Sequence, residues 1–153
     1  MSHPVFCPTR YDRYNDIGCS ATRHFYESIG YTFIPEPEAY ASHDLTMRSP
    51  TGVLLRIETE VTKKWVGKAF PYTYMSVPTR KQNSKADVFV KVNLKGNSIL
   101  VCKMSVVKAS PIIKKDTTLS SNESFFNVDV STISSYYLMD GMWYTEDDED
   151  TTP

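Results

Sequence analysis

Three carboxylates have a spacing that suits chemistry. Fourteen positions separate Asp44 from Glu58, and Glu60 follows in Glu58-Thr59-Glu60. Between them Ser49-Pro50-Thr51-Gly52 is a strong turn signal. The flanking segments His43–Arg48 and Val53–Val61 read as strands, so a hairpin is expected. Folded about that turn, Asp44 comes to lie near the Glu58 end of its partner. Glu58 and Glu60 share a face because strand side chains alternate. Carboxylates gathered on one face repel each other unless a positive charge sits among them. Mg²⁺ (or Mn²⁺) is the natural candidate, a hard ion that takes oxygen ligands and keeps waters and phosphate oxygens. Such an ion activates water and offsets the charge developing on a phosphodiester. Lys63 and Lys64, just past the second strand, are placed to hold phosphate or the attacking hydroxide. The alternative is a solvent-facing hairpin whose acids pair with Arg48, Arg56 or a nearby lysine.

The elements that must position these residues follow from pattern. A helix capped by Thr9 or Asp12 runs to about Ile29, with Ile17, Ala21, Phe25 and Ile29 on one stripe and Gly30 as its C-terminal stop. Tyr31–Ile34 reads as a short strand and 35–42 as a loop. Pro71–Pro78 is extended, and Thr79–Lys85 is a short basic helix or loop. Asp87–Val92 and Ser98–Lys103 bracket Asn93-Leu94-Lys95-Gly96-Asn97 as a second hairpin. Ile112-Ile113 and Phe125–Val130 are further strands. This arrangement predicts an N-terminal arm over 1–10, one domain over 11–139, and a flexible acidic tail over 140–153.

Composition narrows the function classes. A chain of 153 residues with 41% hydrophobic and 23% charged residues suits one globular domain. No apolar run approaches the ~20 residues of a membrane span, and the N-terminus has no secretion signal. Cys7, Cys19 and Cys102 are widely spaced and odd in number, which argues against a disulfide framework or a zinc site and fits a cytoplasmic location. There is no glycine-rich phosphate loop and no Gly-x-Ser-x-Gly elbow. Omitting the acidic run Glu146–Asp150, the chain has 17 basic and 13 acidic residues, a net of +4. From Arg56 to Lys115 thirteen Lys/Arg face three acids, a bias suited to a polyanionic partner. In Trp65–Gln82 aromatic and basic residues interleave, a composition fit for nucleic-acid backbones and exposed bases. Trp65, Arg80, Lys81 and Lys85 are the candidate contacts. The competing expectation is that Trp65, Phe70, Tyr72 and Tyr74 fill a core that has few leucines.

A helix, then a hairpin bearing Asp44 and Glu58-Thr59-Glu60, then lysines and a β-rich remainder, resembles the PD-(D/E)xK nuclease superfamily over roughly Thr9 to Val101. The resemblance implies an α/β (α+β) single domain of restriction-endonuclease type, with a mixed central sheet flanked by helices. It also implies Mg²⁺-dependent hydrolysis of DNA phosphodiesters, with metal held by Asp44, Glu58 and Glu60 and assisted by an acid of the first helix, Asp16 ahead of Asp12. Glu60 stands where the motif usually has lysine, as in some restriction endonucleases of the superfamily. Small size implies a homodimer or delivery by a partner protein. The rival expectation is a non-catalytic accessory protein of a virus (a phage, for example) or mobile element. It would act through its basic face or through the acidic tail carrying Met142, Trp143 and Tyr144.

Overall fold

A computed structural model of the chain describes residues 8–35, 44–114 and 123–145. Helix α1 spans Pro8–Ser28. On its inner stripe Ala21 and Phe25 are buried and Ile17 is half-buried, so one face lies on the sheet. Ile29, expected on the same stripe, is exposed because the helix has already ended. It ends in a Schellman motif: Tyr31 N–H donates to Tyr26 O at 3.0 Å and Gly30 N–H to Glu27 O at 3.1 Å. Gly30 takes φ +97°, which a Cβ would disfavour. The Tyr26 and Tyr31 rings, 5.0 Å apart, supply the apolar contact that accompanies this motif.

The strands, in chain order, are β1 (Thr32–Ile34), β2 (Leu45–Arg48), β3 (Leu54–Thr62), β4 (Tyr74–Pro78) and β5 (Val88–Asn93), then β6 (Ser98–Lys103), β7 (Ile112–Lys114), β8 (Ser124–Asp129), β9 (Ser134–Met139) and β10 (Met142–Thr145). A seven-stranded mixed sheet has the order β1-β2-β3-β5-β6-β9-β10, and a three-stranded sheet the order β4-β8-β7. The early hairpin forms as expected, with Arg48 opposite Leu54 and Leu45 opposite Ile57. Strands β3 and β5 are parallel, with Glu60 opposite Lys91. Parallel neighbours need a crossover. Here residues 63–87 make it, carrying β4 and a 3-10 turn over Thr79–Asn83.

Two cores result. Under α1, Met47, Ile57, Val88, Val90, Val92 and Ile99 pack against Ala21 and Phe25. On the other face Phe89, Leu100 and Cys102 meet Met75, Val77, Phe126 and Val128 from the small sheet, with Met104 and Val107 of helix α2 (Met104–Lys108). The fold is thus α+β around a mixed sheet. One face carries the expected helix, but the other is covered chiefly by strands. The reason is periodicity: Met75, Val77, Phe126 and Val128 are buried and alternate with Tyr74, Ser76, Phe125 and Asn127.

The expected tail boundary at 139 also needs correction. Asp140 (φ +53°) and Gly141 (φ +80°) form a two-residue turn of the I′ kind, and β10 returns against β9 with Met142 opposite Met139. Trp143 then packs on Phe25, ring centroids 5.6 Å apart, and its Nε1 donates to His24 Nδ1 at 2.8 Å. At the other end, α1 begins inside the stretch read as an arm. Residues 1–7, 36–43 and the acidic run Glu146–Asp150 lie outside the described residues, as does the side chain of Asp12. Among the described residues no helix is long and apolar enough to cross a membrane.

Candidate functional site

Strand β3 has nine residues and β2 only four, so pairing between them stops at Leu45 opposite Ile57. Beyond that point Glu58–Thr62 extend past their neighbour. Asp44 continues the ladder by one step: its N–H donates to Ile57 O at 2.9 Å, and its Oδ2 accepts from Thr59 N–H at 2.8 Å. A side-chain carboxylate here takes the place of a strand partner on an edge that would otherwise be exposed. A cleft of about 340 Å³ opens beside it, lined among others by Tyr14, Asp44, Thr59, Glu60, Arg80 and Lys81. Gly18 brings α1 close to this edge. A Cβ at Gly18 would stand 2.8 Å from Thr59 Oγ1 and 3.4 Å from Val61 Cγ2.

The alternation of β3 turns Thr59 toward α1, whereas Glu58 and Glu60 face lysines from the crossover and from β5. Lys81 Nζ donates to both Glu58 oxygens at 3.1 Å, and Glu58 is buried. Lys91 Nζ donates to Glu60 Oε1 at 2.6 Å; the Lys91 side chain is 8% exposed and that of Glu60 40%. The positive charge that crowded carboxylates require is therefore supplied in part by two ammonium groups. Among the described residues no group of three or more His, Cys, Asp or Glu side chains is gathered to hold a metal ion.

Of the other expected site residues, Asp16 is exposed on α1. The Cys19 thiol is pushed up to about 12, by burial first and then by the charges of Asp44 and Asp16. At that value the thiol stays protonated and is no nucleophile at neutral pH. Lys63 is exposed, its ammonium 5.2 Å from the centre of the Tyr14 ring that lines the cleft. Lys64 and Lys85 are exposed. Arg80 donates to Glu123 at 3.0 Å. Trp65 corrects the expectation of a base contact: it is fully buried, edge-on to Phe70 with centroids 5.0 Å apart, and belongs to the core.

Sequence reasoning put Lys81 near phosphate and missed its bond to Glu58. It missed Lys91 entirely. No local pattern marks Lys91; only the parallel register of β3 and β5 sets it opposite Glu60. Compared with family models, curated proteins and solved structures, the chain matches none.

Proposed function

We propose that the cleft is a metal-assisted phosphodiesterase site of the PD-(D/E)xK kind, and the chain a Mg²⁺-dependent DNA nuclease or nuclease subunit with a restriction-endonuclease-like fold. The observation that carries this reading is that Asp44, just before β2, and Glu60 of β3 line one cleft together with Arg80 and Lys81. The donor set suits Mg²⁺, which is commonly held by one or two carboxylates while waters and substrate phosphate oxygens complete its shell. When bound, the ion supplies an activated water and neutralises charge on the phosphodiester. Asp44 is fixed for that task by its bond from Thr59 N–H. Glu58, with both oxygens on Lys81, orients the ammonium at the cleft wall rather than ligating. Lys81 and Arg80 bind the phosphate, Lys63 stands beside Tyr14 at the rim, and Asp16 adds negative charge from the helix side. The basic surplus between Arg56 and Lys115 draws a polyanion toward the cleft.

The test is Mn²⁺ calorimetry alongside Mg²⁺-dependent cleavage of plasmid DNA, on wild type and Asp44→Asn. Both binding heat and cleavage should disappear in the variant. Equal Mn²⁺ heats in the two proteins would overturn the assignment. One observation favours a second reading, a non-catalytic accessory protein: Lys81 and Lys91 neutralise Glu58 and Glu60 without metal. In that case wild type neither binds Mn²⁺ nor cleaves, while DNA binding persists in EDTA.

A further inference from the structure

A second cavity, of about 520 Å³, lies across the Glu60–Lys91 ion pair from the cleft. Its lining includes Phe70, Tyr72, Tyr74, Ser76, Asn127 and Lys91. Thus Glu60 borders one cavity and its partner Lys91 borders the other. Three features of this second cavity point to a planar, acceptor-bearing ligand. The first is aromatic surface: Phe70 and Tyr72 meet edge to face with centroids 5.5 Å apart, and Tyr72 and Tyr74 are each 48% exposed. An aromatic ring left half in water has a face to offer, as the buried Trp65 does not.

The second is Lys91. Its residue is 6% exposed, yet the ammonium has three donors and, among the described residues, a single hydrogen-bonded acceptor in Glu60. A buried cation with donors in hand, lining a cavity, is a recognition group for a carbonyl or ring-nitrogen acceptor. The third is the polar part of the wall, where Thr62, Thr73, Ser76 and Asn127 stand among the three rings and can fix the orientation of a bound heterocycle.

We infer that this cavity receives one unpaired nucleobase, stacked on Tyr72 or Tyr74 with an acceptor edge toward Lys91, while the adjoining phosphate occupies the carboxylate cleft. The inference rests on the nuclease reading for its phosphate site, and it names the substrate class: single-stranded DNA, or duplex with an extruded nucleotide. A paired base keeps its faces stacked and its edge occupied, so it cannot enter such a cavity.

The test uses a single-stranded octathymidylate carrying one 2-aminopurine, titrated in EDTA so that no cleavage occurs, with a blunt duplex of the same length as control. Wild type should quench the 2-aminopurine as it binds. Tyr72→Ala/Tyr74→Ala should weaken single-strand binding roughly tenfold, as the loss of base stacking does elsewhere, and abolish the quench. Duplex affinity should stay within about twofold. Tyr72→Phe/Tyr74→Phe, which keeps the rings, should retain both binding and quench. An equal loss on single strand and duplex, or no loss at all, overturns the inference. The two proposals fail separately. Quenching lost in the alanine variant, with no Mg²⁺-dependent cleavage by wild type, sinks the nuclease and keeps the base site. Cleavage by wild type, with affinity unmoved by the alanine pair, does the reverse.

Discussion

The Glu60–Lys91 pair should respond asymmetrically to removal of its two ends. The lysine side chain is 8% exposed and the glutamate 40%, with Nζ and Oε1 2.6 Å apart. Glu60→Val keeps strand propensity but leaves the ammonium of a nearly buried lysine with no counter-charge, and only the cavity beside it to supply water. Removing one partner of a buried pair costs about 3–5 kcal/mol, and the partial exposure here sets the expectation at the low end, about 3 kcal/mol. Lys91→Met removes the buried charge and refills its volume with a thioether. The orphaned glutamate then has water available, so the loss should be about 1 kcal/mol or less, within the range of an exposed pair. The double variant should match Lys91→Met alone, because no buried charge is left to strand. Urea unfolding of the three variants at pH 7, read from the midpoint at unchanged slope, measures each cost. A Lys91→Met cost equal to or above that of Glu60→Val would refute the reasoning, since it would mean that the ammonium is stabilised by something other than Glu60.

Other outcomes follow from single contacts. Gly18→Ala, which in a free helix would be stabilising, should cost about 1–3 kcal/mol because its Cβ meets Thr59 Oγ1 at 2.8 Å; adding Thr59→Ala should recover most of that loss in the same unfolding assay. Gly141→Ala, at φ +80°, should cost about 1–2 kcal/mol and lower Tm by a few degrees, seen by calorimetric melting. Asp129 accepts from Ser131 N–H at 2.9 Å, which holds its carboxyl below the ordinary 3.8. A depressed folded-state value gives stability that is present above pH 3.8 and is lost as pH falls through the folded value. The unfolding free energy of wild type should therefore drop more between pH 5 and pH 2.5 than that of Asp129→Asn, and parallel curves would contradict this.

Much of the local structure was legible because local chemistry set it. Gly30 stops α1, Ser49–Gly52 turns the first hairpin, and Asn93–Asn97 turns the second. Asn93 Oδ1 there accepts from Asn97 N–H at 2.9 Å and Ser98 N–H at 3.1 Å. Residues 140–145 carry two opposed signals. Asp140-Gly141 is among the strongest two-residue hairpin pairs, but the acidic run behind it made the whole segment read as a tail. Strand β9 is hidden by Ser134-Ser135, whose polarity suits a strand only because Val101 and Leu100 of β6 pair with them. What no window of sequence displays is pairing across distance. Trp65 and Tyr72 are both aromatics of the crossover, yet one is core and the other half exposed. The core that takes Trp65 is completed by Phe126 and Val128 of β8, which lies far along the chain.

The same limit explains the lysines. Lys63 and Lys64 follow Glu60 in sequence, but β3 has ended by then and both side chains face water. The crossover spends residues 63–87 covering the second face of the sheet, and on its way back it brings Lys81 over Glu58. It then starts β5 in a register that sets Lys91 opposite Glu60. Closing the core and charging the cleft are thus one event in the topology. A register slip of one residue between β3 and β5 would turn Lys91 to the α1 face and bury Val90 or Val92 against Glu60 instead. The pairing that gives Glu60 its counter-charge is therefore also the pairing that the apolar residues of β5 enforce, and it requires no separate selection of Lys91 by the acid it neutralises.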